Sequence, residues 1–118
     1  MQQALNLTEQ ERLCFMQALN AVAYLRGKPE EVWLTLLRQV GGLLEVSKAD
    51  YQFQAGVPGI AEKVNQITNP RARLYFLRII HDVHLKEVQS RIWPLGGGGT
   101  DATFRRFYSQ LAAVIRLD

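Results

Sequence analysis

The stretch RLCFMQALNAVAYL at residues 12–25 is followed 61 residues later by a similar stretch, RLYFLRIIHDVHLK, at residues 73–86. Large apolar residues recur every three or four positions in both stretches, as in a helix with one buried face. Four positions are identical: Arg12 and Arg73, Leu13 and Leu74, Phe15 and Phe76, and Val22 and Val83. The sequence therefore predicts two related helices at these places.

The segments that follow the two stretches also match each other, at a displacement of 71 residues. Large apolar residues at 33, 36, 37, 40, 43, 44 and 46 fall opposite large apolar residues at 104, 107, 108, 111, 114, 115 and 117. Each of the two helices is thus followed by a second one. The sequence predicts an all-α fold, a compact bundle of five to six helices built from two similar helix pairs, and a single domain over residues 1–118.

Local start and stop signals place the helix ends. The predicted helices span about 9–26, 29–45, 48–54, 60–67, 70–90 and 102–117. Thr8 and Glu11 form a capping box before the first helix, and Asn69-Pro70 is a start signal for the long helix at about 70–90. The two short helices are expected to form a connector. The glycines at 96–99 predict a flexible loop before the last helix.

The periodic apolar positions also predict the core. The helices at about 9–26 and 70–90 should be central, with the helices at about 29–45 and 102–117 packed on them. The predicted core residues are Phe15, Leu19, Val22, Trp33, Leu36, Val40, Phe76, Ile80, Val83, Phe107, Leu111 and Val114.

The composition is typical of a globular protein. Of the 118 residues, 47% are hydrophobic and 21% are charged. The longest uncharged apolar stretch, 13–25, is shorter than the about 20 residues that a membrane span needs, and the N-terminus lacks the pattern of a signal peptide. The single cysteine, Cys14, can form no internal disulfide and fits a small buried side chain in a reducing compartment. We therefore expect a cytoplasmic protein without a transmembrane segment.

Catalytic and metal-binding patterns are weak in this sequence. His81 and His84 are three residues apart and share one face of a helix, but a metal site needs more ligands and no third candidate is indicated. Both histidines fall in the apolar arc of their helix, so they are expected to be core or interface side chains. No serine has a nucleophile-elbow context, and the glycine run lacks the lysine of a phosphate-binding loop. The sequence predicts no enzyme, no catalytic residue, no metal site and no cofactor.

Basic residues near the C-terminus are the candidate binding residues. At about 100° per residue, one arc of roughly 80° on the 70–90 helix collects these polar side chains: Arg71, Arg78, Asp82, Lys86 and Gln89. Asp82 is interpreted as a solvated partner of Arg78 or Lys86, each four residues away. Two arginines of the last helix could lie nearby. The predicted partner-binding residues are Arg71, Arg78, Lys86, Arg105 and Arg106.

The doubled helix pair resembles the TerB-like (tellurite-resistance) domain, an all-helical fold made of two similar halves. The characteristic string of that family is an apolar helix that ends in an acidic-Gly turn, followed by a helix that opens with glutamates. FMQALNAVAYLRGKPEEVWLTLL at 15–37 resembles the first copy, and residues 76–117 resemble a longer second copy. The resemblance implies a cytoplasmic bacterial stress-related or membrane-complex accessory protein.

The same resemblance raises the question of a divalent metal. In that family the aspartates of the turn are thought to contribute to metal binding. This sequence has Arg26-Gly27 at the first turn, and Lys86-Glu87 without an adjoining glycine at the second. Because an arginine in place of an anionic ligand repels a cation, no metal ligand is carried over to this chain.

The leading functional hypothesis is a non-enzymatic interaction or accessory module that binds another protein or associates with itself. An orderly helical core without convergent catalytic groups favours it. One alternative is a nucleic-acid-binding or regulatory domain that uses the basic residues of the last two helices, since the net charge is +3 and the pI is about 9.3. The other alternative is a divalent-metal-responsive protein.

Overall fold

Five α-helices form the described part of the chain. The computed structural model describes residues 6–25, 27–91 and 98–116, with the backbone alone described at 87–91 and 98–103. In these ranges there is no β-strand, which confirms the all-α prediction. The α-helices are α1 (Glu9–Ala23), α2 (Glu31–Leu44), α3 (Val57–Asn65), α4 (Pro70–Arg91) and α5 (Gly98–Val114), and a 3-10 helix, Lys48–Tyr51, precedes α3.

The predicted capping box at the start of α1 is present. The backbone N–H of Glu11 donates to the hydroxyl of Thr8 at 3.1 Å, and the backbone N–H of Thr8 donates to Glu11 Oε1 at 3.0 Å. The other carboxylate oxygen of Glu11 accepts from the backbone N–H of Thr68 at 2.8 Å and from its hydroxyl at 2.9 Å. Glu11 therefore ties the start of α1 to the segment before α4.

The predicted start signal of α4 is also confirmed, whereas the prediction of a glycine loop at 96–99 is partly wrong. Asn69 Oδ1 accepts from the backbone N–H of Arg71 at 2.9 Å, and Pro70 takes the first position, where no backbone donor is needed. Helix α5 begins at Gly98, so Gly98 and Gly99 lie in its first turn. Glycine disfavours a helix by about 1 kcal/mol without forbidding the helical backbone. The rest of the predicted loop lies outside the described residues.

The short helix α3 belongs to the core, although the sequence predicts it as part of a connector. It packs against α1, α4 and α5, and Ile60 and Val64 are fully buried. Helices α1 and α4 meet where the rings of Phe15 and Phe76 are in edge-to-face contact, with 5.4 Å between their centroids. The buried residues of all five helices join in one hydrophobic cluster.

The predicted core is largely confirmed. All of the predicted residues are buried except two. Leu36 is partly buried, and Val114 is 48% exposed. Val114 is the last residue of α5, and the helix end is held by its backbone, because the carbonyl of Val114 accepts from Asn65 Nδ2 at 3.0 Å. Its side chain is free to point outward.

The dimensions fit a compact helical fold. The radius of gyration is 13.8 Å, about the value expected for a globular domain of this length. Within the described ranges, no helix combines the length and the apolar character that crossing a membrane requires.

Candidate interaction surface

Helix α4 exposes a face that carries both apolar and charged side chains. Its described side chains that point into the core are Ala72, Arg73, Phe76, Leu77, Ile79, Ile80, Val83 and His84. Its exposed residues span an arc of about 140°: Arg71, Leu74, Arg78, His81, Asp82, Leu85 and Lys86. Five of these residues form what we call the α4 face: Leu74, Arg78, His81, Asp82 and Leu85.

This exposed arc is wider than the predicted one. Leu74 is 55% exposed and Leu85 is 45% exposed, and the side chain of His81 is 50% exposed. His84 is a core side chain as predicted, at 2% exposure, whereas His81 is not. The helical period gives the apolar arc of α4 but not the neighbour that covers it, and α5 buries His84 while it leaves half of the His81 side chain exposed.

Aromatic packing fixes α5 against α4 next to this face. The imidazole of His84 stacks on the ring of Phe104, with 3.8 Å between ring centroids and 9° between planes. The ring of Phe104 also stacks on that of Tyr108, with 5.8 Å between ring centroids. The centroid of the His81 ring lies 5.7 Å from that of Tyr108. These four rings form a continuous floor between the two helices. A rigid aromatic floor beside exposed leucines is suited to binding apolar groups.

Two cavities of about 300 Å³ each open along the groove between α4 and α5. Both are lined by His81 and Tyr108. The first, which we call the Leu74 cavity, is lined by Leu74, Arg78, His81, Asp82 and Tyr108. The second, which we call the Leu85 cavity, is lined by His81, His84, Leu85, Phe104, Arg105, Tyr108 and Ser109. The two exposed leucines therefore mark the two ends of one groove.

The carboxylate of Asp82 shapes the electrostatics of the groove. Burial, and secondly the negative charge of Asp82, raise the pKa of Tyr108 and the pKa of Tyr75 above the ordinary value. Asp82 Oδ1 lies 3.8 Å from His81 Nδ1. Among the described residues Asp82 forms no ion pair with Arg78 or Lys86, so the predicted pairing is not found.

The five predicted binding residues are all exposed, but they do not converge on one cavity. Arg78 lines the Leu74 cavity and Arg105 lines the Leu85 cavity, on either side of Tyr108. The other three line neither cavity: Arg71, Lys86 and Arg106. The structure thus brings together two of the predicted residues, and it adds Leu74, Leu85 and Tyr108, which the sequence analysis did not predict as binding residues. The signal for the two leucines is the spacing of Leu74, Arg78, His81 and Leu85 by four, three and four residues on α4.

Arg73 is a basic residue of α4 with a structural role. It is only 8% exposed, and its guanidinium donates to the carbonyl of Ile67 at 2.6 Å, to that of Thr68 at 3.3 Å and to that of Arg116. These carbonyls lie in the segment before α4 and just after α5. Arg73 therefore links the chain before α4 to the chain after α5, and it adds nothing to the exposed basic surface.

A larger cleft of about 490 Å³ lies beside the first turn of α1. Its lining carries three carboxylates, those of Glu9, Glu45 and Asp50, and Arg12 approaches Glu45 at 3.9 Å. In the part of the chain that the structure describes, no three histidine, cysteine or acidic side chains are grouped to hold a metal ion. Cys14 is fully buried, and its thiol donates to Gln66 Oε1 at 3.2 Å, which fits the predicted small core side chain.

Comparison of the chain with models of known families, with curated proteins and with solved structures gave no match. The surface chemistry of α4 and α5 is therefore the basis for a functional proposal.

Proposed function

We propose that this chain is a non-enzymatic protein-interaction module and that the groove between α4 and α5 is its binding surface. The observation that carries the proposal is the pair of half-exposed leucines, Leu74 and Leu85, at the two ends of a groove with an aromatic floor. Apolar side chains gathered on an exposed surface and rimmed by polar ones are typical of protein-binding sites. The rim here is provided by Arg78 and Arg105.

The size of the apolar contribution supports a binding role. Full burial of a leucine side chain contributes about 1.5–3 kcal/mol, so covering two half-exposed leucines yields roughly 1.5–3 kcal/mol. The aromatic floor adds further apolar area. This is enough to anchor a partner when polar rim contacts complete the interface, since a few buried anchors provide most of the energy of an interface.

Photo-crosslinking in the native cells tests this proposal. A photoreactive amino acid is placed at Leu74, at Leu85 or at Val114, which is 48% exposed and lies outside the groove. We expect covalent protein adducts of one defined mass from positions 74 and 85, and only background from position 114. Equal adduct yields from all three positions, or none from any, would contradict the proposal.

A nucleic-acid-binding role is the second candidate, favoured by the exposure of all five predicted basic residues. The affinity for an oligonucleotide should then fall steeply with added salt, and the slope should flatten when Arg78 and Arg105 are replaced by glutamine. Fluorescence anisotropy at low salt measures both effects. No binding to single- or double-stranded oligonucleotides would remove this candidate.

We also propose that α1–α2 and α4–α5 are two copies of one helix pair, as the TerB-like resemblance implies. Several equivalent positions share their degree of burial: Phe15 and Phe76 are fully buried, and Leu43 and Val114 are each 48% exposed. The resemblance further suggests a cytoplasmic bacterial stress-response protein.

A divalent-metal response on the pattern of that family is tested by calorimetry with calcium, magnesium and zinc, where heat of binding would support it.

A further inference from the structure

We infer that the groove between α4 and α5 binds a second copy of this chain, with the two α4 helices packed antiparallel about a twofold axis. The leucines of each copy then enter the cavities of the other. This inference rests on the proposed function and names the partner. The observation that carries it is that the apolar and charged positions of the α4 face are complementary to themselves when the helix direction is reversed.

Four residues of the α4 face form a narrow stripe with the spacing of a coiled-coil seam. They follow one another by four, three and four residues and lie within about 60° of the helix circumference: Leu74, Arg78, His81 and Leu85. All four are exposed, whereas the buried side chains of α4 lie on the other side of the helix. The stripe is therefore a second packing face of α4, pointing away from the core of its own chain.

The positions of this stripe are symmetric along the helix axis. Leu74 and Leu85 lie equally far from the midpoint between residues 79 and 80, and Arg78 and His81 are also equally far from it. A twofold axis at right angles to α4 through this midpoint therefore brings Leu74 of one copy opposite Leu85 of the other. It also brings Arg78 opposite His81, where a guanidinium can stack on an imidazole ring.

The charges of the α4 face favour this antiparallel arrangement. Asp82 lies on the same edge of the stripe as Arg78, about 40° away around the helix. The twofold axis places Arg78 of one copy and Asp82 of the other within about 1.5 Å in height along the helices, so two ion pairs form between the copies. Over the described ranges, no carboxylate of the same chain pairs with Arg78. A parallel pair would instead bring like charges together, Arg78 against Arg78.

The two cavities receive the leucines of the second copy. Leu85 of the second copy lies opposite Leu74 and enters the Leu74 cavity, and Leu74 of the second copy enters the Leu85 cavity. Because Tyr108 lines both cavities, α5 flanks the seam and contacts both incoming side chains. The centre of the interface then contains leucine, tyrosine and arginine, and aromatic residues and arginine are enriched in protein interfaces.

The other two basic residues of the exposed arc of α4 are compatible with this arrangement. Lys86 lies about 110° from the middle of the stripe, so it points away from the second copy. Arg71 lies beyond Leu74 at the outer end of the stripe, where its long side chain can extend into solvent.

Sedimentation equilibrium of the full chain tests this inference. We expect a monomer–dimer equilibrium between about 10 µM and about 1 mM protein. Arg78→Glu and Asp82→Arg should each weaken the dimer by about tenfold or more, because each places like charges opposite each other. The double variant exchanges the two charges and should restore the dissociation constant to within about threefold. Arg106→Glu is the matched control, since Arg106 is exposed and lines neither cavity, and it should change the constant by less than about twofold.

Disulfide formation tests the direction of the two helices. Leu74→Cys and Leu85→Cys are oxidised separately and as a mixture, while the native Cys14 stays buried. We expect cross-linked dimers from the mixture only, because positions 74 and 85 face each other. Two copies of the same position lie about 16 Å apart along the helices, beyond the about 7 Å that a disulfide allows between Cα atoms. Equal thermal melting of all variants shows that they fold.

Four results would overturn the inference: a monomer at about 1 mM protein, a dimer that neither single charge reversal weakens, an equal loss from Arg106→Glu, or cross-links from Leu74→Cys alone. The proposed function is judged separately by the photo-crosslinking at positions 74 and 85. Adducts with a different protein, from a chain that stays monomeric, would keep the interaction module and reject the second copy. Adducts of twice the mass of the chain would support both.

Discussion

The carboxylate of Glu11 is the clearest single group on which the stability of this fold should depend. It accepts from the backbone of Thr8 at 3.0 Å and from the N–H and hydroxyl of Thr68 at 2.8 and 2.9 Å. The residue is 9% exposed. The variant Glu11→Gln keeps the size of the side chain but replaces one accepting oxygen with an NH₂ group that can only donate.

The magnitude follows from these contacts. The amide oxygen of the variant can face Thr68 and keep two hydrogen bonds without the charge, and the NH₂ group then opposes the N–H of Thr8. A hydrogen bond to a charged group contributes about 1.5–3 kcal/mol and a neutral one about 0.5–1.5 kcal/mol. We therefore expect Glu11→Gln to lower the free energy of unfolding at pH 7 by about 2–3 kcal/mol, or the Tm by roughly 8–12 °C.

The pH dependence gives a second test of the same contacts. Burial disfavours the charged form of Glu11, but hydrogen bonds from Thr68 and Thr8 outweigh burial and hold the pKa below its ordinary value of 4.5. Because the pKa of Glu11 is lower in the folded chain than in the unfolded chain, its carboxylate stabilises the fold fully at pH values above the pKa of the unfolded chain. This stabilisation is lost as the pH falls through the pKa of the folded chain. The difference between wild type and Glu11→Gln should therefore shrink below about pH 4.5.

Urea denaturation at several pH values measures this difference. Glu9→Gln is the matched control, because Glu9 lies in the same first turn of α1, is exposed, and also loses a charge favourable to the helix N-terminus. The control should cost at most about 1 kcal/mol. Equal losses from Glu11→Gln and Glu9→Gln, or a Glu11 effect that persists unchanged at acidic pH, would refute the reasoning.

Two further predictions concern packing. Phe76→Ala should lower the free energy of unfolding by about 3–5 kcal/mol in urea denaturation, since Phe76 is fully buried, while Val114→Ala should change it by less than about 1 kcal/mol. Gly41→Ala should lower the Tm because its Cβ would press on Tyr51, whereas Gly42→Ala, with no atom within 4 Å of the new Cβ, should raise it by better helix propensity. A shift of the same sign for both glycines in differential scanning fluorimetry would contradict the packing around Tyr51.

Local sequence signals predict where helices begin, but they do not predict which residues are buried by segments that are distant along the chain. Asn69-Pro70 and the capping box act within a few residues, so the starts of α1 and α4 follow from sequence alone. The central place of α3 does not follow, because its nine residues become core only when α1, α4 and α5 surround them. The burial of Arg73 does not follow from the sequence either, because the carbonyls that accept its hydrogen bonds lie before α4 and after α5.

The sequence predicts only part of the proposed binding surface, for the same reason. The helical period places Arg78 and Lys86 on an exposed arc, and both are exposed. It also places Leu74 and His81 in the apolar arc, and a helical wheel cannot show that the fold leaves about half of each side chain exposed. Only the packing of Phe104 on His84 shows which side of α4 is covered.

The differences between the two proposed copies of the helix pair are more informative about function than their likeness. Asn20 of α1 is a neutral donor that is satisfied within the chain, by the backbone carbonyl of Phe53. At the equivalent position the second pair carries His81, half exposed, and one turn earlier Arg78 replaces Gln17. Charged groups contribute little to stability at an exposed site, but they favour an oppositely charged partner and speed its association. In the proposed binding groove, Arg78 adds a positive charge where α1 has the neutral amide of Gln17, as a surface that selects its partner by charge requires.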